Sequence, residues 1–233
     1  MSYIDNGKIR LGVDLDIGGA ITYLAESDKR VNVINSYDGG RQVQMSFYSG
    51  PIPFEPNGKK PAKHWAKLGW NPIQSGDYKA FKSKVIAHTN DKKTIYLKCI
   101  PMQWPLNNEP GECTFECRLS LEGKTVRVWS RLNNARTDKT QYTGRSQELP
   151  AVYTNGPLYR LMSYTGDKPF TGAKPSRIPK IRKPWDKFEA TECWSALIND
   201  KGWGLGVWHP GRYKTLGGFA GKPGAGGPKD NPT

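Results

Sequence analysis

Hydrophobic and polar residues alternate along most of this chain, which is the pattern of strands that bury one face and expose the other. The segments that follow this period of two are 8–13, 20–25, 32–35, 41–49, 83–89, 94–100, 113–121, 124–132, 147–153, 158–163, 188–199, 204–209 and 214–219. Turn residues separate them at short intervals, most clearly at Glu122-Gly123, and this spacing is typical of antiparallel hairpins. The sequence therefore predicts an all-β fold, an antiparallel two-sheet sandwich.

Three long stretches, 50–82, 101–111 and 164–187, lack this alternation and are rich in aromatic residues. Long loops in a compact domain are usually functional or disordered, and disordered segments are poor in aromatic residues. We therefore expect ordered, aromatic-rich loops that fold over one face of the sandwich. They would form the walls of a cleft, and the residues proposed for stacking there are Trp65, Trp70 and Trp104.

No linker or internal repeat divides the chain, so a single domain is predicted over residues 1–233. Residues 220–233 are dominated by Gly and Pro and contain no strand pattern. This segment is either a flexible tail or a loop leading to strands beyond it. The second interpretation is favoured because an open sheet edge invites unwanted pairing.

The chain is strongly basic, with 35 Lys and Arg residues against 21 Asp and Glu residues and a net charge of +14. This balance favours a polyanionic partner, either nucleic acid, an anionic membrane surface, or an acidic or sulfated polysaccharide. Two groups of basic residues stand out, one at 59–84 and one at 174–187, where interleaved prolines indicate an extended loop. The alternative is a solvated surface that keeps the protein soluble.

The cysteines and histidines lack the spacing of a zinc site, so we expect no metal and no other cofactor. Cys113 and Cys117 share one strand face with Phe115 and Leu119, which predicts buried thiols; a disulfide is unsupported. No apolar run reaches the ~20 residues of a membrane span, so a soluble protein is expected. The first residues do not resemble a signal peptide, although an upstream leader would make the protein secreted or periplasmic.

Residues 35–50 form the most informative segment. Asp38 and the two glycines after it predict a turn that delivers Arg41 into a strand. Strand alternation then directs Gln42, Gln44 and Tyr48 to one face, because successive side chains point to opposite sides. Planar donors and acceptors of this kind suit a polyhydroxylated ligand. The alternative is the polar outer face of an ordinary antiparallel strand.

A second segment, 145–159, places Glu148 where a core strand begins and is followed by Tyr153 and Asn155 as candidate binding residues. A carboxylate that enters an apolar strand is either paired or has a raised pKa, as a general acid requires. Glu192, which precedes Trp194, is a second acid of this kind, and a pair of carboxylates across a cleft is what glycoside hydrolysis uses. For each acid taken alone, the favoured interpretation is a structural partner for one of the many Arg and Lys residues.

His209 ends a predicted strand that begins near Trp203 and also carries Trp208. The functional interpretation is an aromatic platform with an imidazole at its rim that titrates near neutrality, so His209 joins the candidate catalytic residues. The alternative is aromatic core packing with an exposed terminal histidine.

Gly18-Gly-Ala-Ile-Thr-Tyr-Leu24, followed by residues 35–41, resembles the opening of the galactose mutarotase-like supersandwich proteins. A longer string resembles a group of uncharacterised bacterial proteins, often secreted, through segments 70–77, 101–105, 147–153 and 202–210. The resemblance implies a β-supersandwich with a carbohydrate cleft, in which Arg41 matches the cleft arginine and Asn35 a neighbouring polar residue. It also implies a chain that is incomplete at its C-terminus. The His-x-Tyr-Phe segment of mutarotases is missing, so aldose epimerisation is not implied.

Taken together, the leading hypothesis is a protein that acts on a poly- or oligosaccharide, an acidic one in view of the charge. If it is an enzyme, cleavage of a glycosidic bond by a hydrolase or lyase is the expected reaction. A non-catalytic glycan-binding module is the alternative, and a nucleic-acid-binding domain ranks third. The chain has no phosphate-binding glycine loop, no nucleophile elbow and no evident RNA-recognition signature, which argues against those classes.

Overall fold

The computed structural model describes residues 1–179, 186–211 and 214–218. It confirms the all-β prediction, with 45% of residues in strands and 4% in helix, in several antiparallel sheets consistent with a β-sandwich. The chain divides into two compact units, Met1–Val152 and Tyr153–Thr233. The prediction of a single domain over 1–233 stays a prediction, and the segment 220–233 lies outside the described residues.

The strands, in chain order, are β1 (Ser2–Asp5), β2 (Ile9–Asp14), β3 (Ala20–Glu26), β4 (Val43–Ser46), β5 (Pro72–Ile73), β6 (Lys84–Asn90), β7 (Thr94–Ile100), β8 (Met102–Gln103), β9 (Cys113–Glu122), β10 (Thr125–Asn134), β11 (Glu148–Val152), β12 (Arg160–Ser163), β13 (Ser176–Arg177), β14 (Asp186–Glu189), β15 (Trp194–Ile198), β16 (Gly204–Trp208) and β17 (Lys214–Gly217). Short 3₁₀ turns lie at Leu15–Ile17, Pro56–Gly58 and Lys63–Trp65.

The first unit contains two sheets. One has the order β1-β2-β3-β4-β5-β8, with β11 also paired to β4, and the other has the order β6-β7-β9-β10. Their inward side chains form a common core in which Leu11, Val13, Leu97 and Phe115 are fully buried. Removing such side chains from water stabilises the fold by about 1.5–3 kcal/mol each. The alternation along β7 and β9 is therefore the one that the sequence predicts.

Glutamine side chains complete the hydrogen bonding where the first sheet is narrow. The amide oxygen of Gln44 accepts from the Ser75 N–H at 3.0 Å, and that of Gln74 accepts from the Met45 N–H at 3.0 Å. Gln103 does the same for the Asn71 N–H at 2.9 Å. Because β5 and β8 have two residues each, these side chains supply bonds that a longer ladder would make between backbones.

The second unit has a sheet of order β13-β12-β15-β16 and a separate pair, β14 with β17. Leu158, Leu161, Tyr164 and Ala190 are buried within it. The hairpin between β15 and β16 closes at Asn199, whose side-chain oxygen accepts from the backbone N–H groups of Lys201 and Trp203.

Several predicted strand boundaries are wrong, for identifiable reasons. The segment 32–35 is not a strand, and β1 was not predicted. The predicted strand 41–49 begins only at Val43, because Gln42 adopts φ 139°, outside the range of strand backbone, and it ends at Ser46. The predicted strand 188–199 is interrupted by a turn in which the Cys193 N–H donates to the Ala190 carbonyl at 2.8 Å. All four cysteines are free and buried, which confirms the prediction for Cys113 and Cys117.

We predict that Gly18→Ala destabilises the first unit more than Gly123→Ala. Both glycines have positive φ, 65° and 58°, so alanine costs about 1–2 kcal/mol at each in backbone strain. At Gly18 an added Cβ would also lie 2.0 Å from the Gln74 carbonyl oxygen, whereas at Gly123 it meets no atom within 4 Å. We therefore expect a further loss of ~1–3 kcal/mol for Gly18→Ala in urea unfolding. Equal losses in the two variants would contradict this account.

Candidate functional site

The turn predicted at Asp38 is present and delivers Arg41 to the surface. The Asp38 carboxylate accepts from the Gly40 N–H at 2.9 Å and forms an ion pair with the Arg41 guanidinium. The guanidinium lies 5.4 Å from the ring centre of Tyr37, which is itself exposed. With its side chain 18% exposed, Arg41 is held on two sides and still accessible to a ligand.

Four aromatic side chains meet beside this turn, and we call His64, Trp65, Tyr78 and Trp104 the aromatic cluster. The indoles of Trp65 and Trp104 pack edge to face, with centroids 5.9 Å apart and an interplanar angle of 76°. His64 lies 5.0 Å from the Trp65 ring and 5.8 Å from the Tyr78 ring. The cluster thus combines rings from three separate segments of the chain.

Gly40 connects the turn to the aromatic cluster. A Cβ at this position would lie 2.6 Å from the Cη2 atom of Trp104, so only glycine allows the backbone to approach the indole this closely. As a result the turn that carries Arg41 packs directly against Trp104. Predicted binding residues Asp38, Arg41, Trp65 and Trp104 are therefore brought together.

Asp77 holds the segments that carry the aromatic cluster, although its sequence context does not mark it as a functional residue. Its carboxylate is 1% exposed and accepts from the backbone N–H groups of Lys79, Phe81 and Asn108 at 2.8, 3.0 and 2.8 Å. It therefore joins the loop that carries Tyr78 to the loop that follows Trp104. The only signal in the sequence is an acid between a glycine and a tyrosine, which is too common to be diagnostic.

The cluster is surrounded by positive charge. Lys63 and Lys79 are exposed beside it, and the Lys79 ammonium lies 5.4 Å from the Tyr78 ring centre. Lys59, from the same basic group in the sequence, forms an ion pair with Glu109 at 2.7 Å instead. Arg41, Lys63 and Lys79 are thus cations available at this surface.

Other predicted binding residues are buried. Gln44 is 3% exposed and Gln42 is also buried, because the segment after Trp70 covers the face of β4 that was expected to be open. Asn35 is likewise buried, and its side-chain oxygen accepts from the Tyr37 N–H at 2.9 Å. The alternative of a polar outer face also does not describe this strand, which is buried on both sides.

Trp70 is a core residue and does not line a cleft. It is fully buried, packs edge to face against Phe47 at 5.7 Å, and lies under the guanidinium of Arg136 at 4.9 Å. Arg136 is itself buried and forms an ion pair with Asp138 at 2.7 Å. The expectation that Trp70 serves as a stacking wall is therefore wrong.

Glu148 begins β11 and lies in register with Ser46 at the end of β4. Burial raises the pKa of its carboxyl above the ordinary value, and a hydrogen bond from the Tyr48 phenol opposes that shift. The pKa of Tyr48 is raised as well, by burial first and by the Glu148 charge second. The pair is half-buried, and Gln147 holds the Tyr48 backbone by accepting from its N–H and donating to its carbonyl.

Glu148 and Arg41 lie toward opposite ends of β4. The register places Glu148 opposite Ser46, and the three residue steps of β4 from Val43 to Ser46 alone span about 10 Å at ~3.3 Å per strand residue. Glu148 therefore lies away from the Asp38–Arg41 turn. The first unit therefore has two separate candidate sites: the surface formed by Arg41 and the aromatic cluster, and the Glu148–Tyr48 pair.

The remaining candidates belong to the second unit. Both oxygens of Glu192 are occupied: one accepts from the Phe170 N–H at 2.7 Å and the other from the Trp194 indole N–H at 2.8 Å. The His209 backbone N–H donates to the Cys193 carbonyl at 2.9 Å, just after exposed Trp208. Because Glu148 and Glu192 lie in different units, their pairing stays a prediction.

Asn155 is buried, and its carbonyl accepts from the Leu158 N–H at 2.9 Å within the turn after β11. Tyr153 is half-buried at the start of the second unit. The binding roles of both residues stay predictions.

A narrow cleft opens between the two sheets of the first unit. Its lining includes Ile21, Val43, Gln44, Val128 and Pro150, and most of it is apolar. Such a lining offers few partners for the hydroxyl groups of a sugar. The surface at Arg41 and the aromatic cluster is therefore the better candidate site.

Among the described residues, no three or more His, Cys, Asp or Glu side chains are grouped so that they could hold a metal ion. The described part of the chain also contains no helix that is long and apolar enough to cross a membrane. Comparison of the chain with protein-family models, with curated proteins and with solved structures found no match. The resemblance to galactose mutarotase-like proteins accordingly stays a prediction.

We predict that Glu148→Gln removes a pH-dependent loss of stability. The pKa of Glu148 is higher in the folded protein than its ordinary value of 4.5, so the folded state holds this proton more tightly than the unfolded state. The ionised carboxylate therefore destabilises the fold as pH rises above about 4.5. Relative to wild type, Glu148→Gln should gain stability in urea unfolding between about pH 4 and pH 8.

The matched control is Glu55→Gln, which removes an exposed carboxylate from the same unit. Its difference from wild type should change less over the same pH range. A difference for Glu148→Gln that stays flat, or that reverses sign as pH rises, would contradict the burial of this carboxyl.

Proposed function

We propose that this protein binds a poly- or oligosaccharide at the surface formed by Arg41 and the aromatic cluster. The observation that carries the proposal is the edge-to-face contact of Trp65 and Trp104 directly beside the Asp38–Arg41 turn. The sequence resemblance to galactose mutarotase-like supersandwich proteins points the same way, and the paired antiparallel sheets of the first unit are compatible with that fold.

The chemistry of the surface suits a sugar. Indole rings offer a flat apolar face for the C–H groups of a pyranose, while the ring N–H and a guanidinium reach its hydroxyl groups. Arg41 is preorganised because Asp38 and Tyr37 hold its guanidinium. Fixing these groups before binding reduces the entropy lost when the ligand is ordered.

The charge at this surface favours an acidic sugar. Arg41, Lys63 and Lys79 surround the aromatic cluster, and a carboxylate or sulfate on the ligand would meet at least one cation there. A planar guanidinium binds such groups through two parallel hydrogen bonds, which a lysine cannot reproduce.

We predict that Trp65→Ala and Trp104→Ala each weaken glycan binding at least tenfold, equivalent to about 1.4 kcal/mol, because each removes a stacking face. Arg41→Lys should weaken binding to acidic glycans more than to neutral ones, since it keeps the charge and loses the bidentate geometry. Glycan-array binding followed by calorimetry on the best ligand is the measurement.

Trp203→Ala is the matched control, since Trp203 is an exposed indole in the hairpin between β15 and β16. It should leave affinity within about threefold of wild type. Equal losses in all three tryptophan variants, or no saturable binding by wild type to any glycan, would rule out this site.

Cleavage of the bound chain is a second candidate function, and the Glu148–Tyr48 pair favours it. A half-buried carboxyl with a raised pKa stays protonated at higher pH than an exposed one, as the general acid of a glycosidase must. Its separation from Arg41 means that a substrate reaching both groups would be an oligosaccharide rather than a single sugar.

We predict that Glu148→Gln abolishes release of reducing ends from any glycan that wild type cleaves, while leaving glycan binding at the aromatic cluster unchanged. Tyr48→Phe should retain activity but move the basic limb of the pH profile upward, because the lost hydrogen bond lowers the pKa of Glu148 in the wild type. Full activity in Glu148→Gln would remove Glu148 from the mechanism.

A further inference from the structure

The outward face of the sheet β6-β7-β9-β10 carries a row of aromatic and arginine side chains. Inward positions of β7 and β9 are buried in the core, so the alternate positions face away from it. On β10 these alternate positions are Arg127, Trp129 and Arg131, all exposed. The sequence Arg-Val-Trp-Ser-Arg at 127–131 contains this pattern.

Strand register brings the row together across three strands. Arg118 on β9 is opposite Tyr96 on β7 and Trp129 on β10. Its guanidinium carbon lies 5.7 Å from the Tyr96 ring centre and 5.5 Å from that of Trp129. Arg131 lies 5.0 Å from the same Trp129 ring. Two guanidinium groups are thus held against rings on one flat face.

Only some of the basic side chains on this face form an ion pair with a carboxylate. Lys98 forms an ion pair with Glu116 at 3.2 Å, and Arg127 forms one with Glu122 at 2.9 Å. Glu116 also lies opposite Arg131 in the β9–β10 register, so its charge acts on that guanidinium as well. Across the described part of the chain, neither Arg118 nor Arg131 has a carboxylate within ion-pair distance. These two side chains therefore present their hydrogen-bond donors to the solvent from fixed positions.

We propose that this face, the arginine–aromatic face, binds an anionic polysaccharide bearing carboxylate or sulfate groups. The proposal rests on the proposed function, because it takes the ligand to be a polysaccharide. What it adds is that this polysaccharide is an anionic one. Charge complementarity carries it: in a chain of net charge +14, Arg118 and Arg131 have no carboxylate within ion-pair distance among the described residues, and guanidinium groups bind carboxylate or sulfate through paired hydrogen bonds. Repeated weak contacts along one polymer add up through effective concentration.

A single-stranded nucleic acid is the competing polyanion. Proteins that bind it gain much of their affinity from bases stacked on open aromatic rings. Here a guanidinium lies over both Tyr96 and Trp129, so the rings serve first to orient the arginines. The geometry therefore favours a ligand that supplies regularly spaced anions rather than bases.

The test uses the double variant Arg118→Gln/Arg131→Gln and the full chain. Probes are polygalacturonate, heparin, neutral dextran and a single-stranded oligonucleotide of matched charge, with affinity measured by calorimetry and by Trp fluorescence at two salt concentrations. We expect at least tenfold weaker binding to both anionic polysaccharides at low salt. The control Lys92→Gln/Lys93→Gln removes the same charge from the turn between β6 and β7 and should change affinity less than threefold.

If the glutamine variant does not fold, as judged by thermal unfolding, Arg118→Lys/Arg131→Lys replaces it. That variant keeps the charge and should still lose at least threefold in affinity, because lysine cannot make paired hydrogen bonds. Affinity unchanged from wild type, equal losses in the control, or tighter binding to the oligonucleotide than to both polysaccharides would overturn the proposal.

The two binding proposals fail separately. Loss of binding to neutral oligosaccharides in Trp65→Ala and Trp104→Ala tests the aromatic cluster. Loss of anionic polymer binding in the arginine variant tests the arginine–aromatic face. Anionic polymer binding that depends on Arg118 and Arg131, in a protein with no affinity for short glycans, would uphold this inference and refute the aromatic-cluster site.

Discussion

The first unit depends on buried amide side chains that bond backbone N–H groups where the paired strands are too short to do so. β5 and β8 are too short to hold the segment after Trp70 by backbone pairing alone. The Gln74 side chain joins this segment to two other parts of the unit: it accepts from the Met45 N–H in β4 and donates to the Gly18 carbonyl before β3, each at 3.0 Å. A buried backbone group left without a partner costs about 1–3 kcal/mol, so these bonds matter more for what they satisfy than for their own strength.

This arrangement explains how a surface made of loops is held in place. The segment anchored by Gln74 continues to Asp77, whose carboxylate organises the loop with Tyr78 and reaches across to Asn108. Buried polar networks of this kind fix one geometry because every alternative leaves a donor or acceptor unpaired. The aromatic cluster therefore rests on the sheet through hydrogen bonds rather than through hydrophobic packing alone.

The sequence predicted those elements that have one face buried and one exposed, such as β9, where alternation is an unambiguous signal. It failed at β4, which is buried on both faces, because Gln44 finds its partner at Ser75, far along the chain. Trp65 and Trp70 look alike in sequence and differ only in tertiary context: one lies at the surface and the other under Arg136. The turn at Asp38 was predictable, since its hydrogen bonds are local.

The contact between Gly40 and Trp104 joins a backbone turn to an indole ring. Since any larger residue at position 40 would displace the ring, the position of Arg41 and the orientation of Trp104 cannot change independently. Residues 63–65 and 78–81, by contrast, surround this fixed pair from separate loops. Related proteins could therefore diverge in ligand preference by substitution in those loops while Gly40 and Trp104 stay invariant, and variation at these sites across species would reveal which part of the surface recognises and which part only supports.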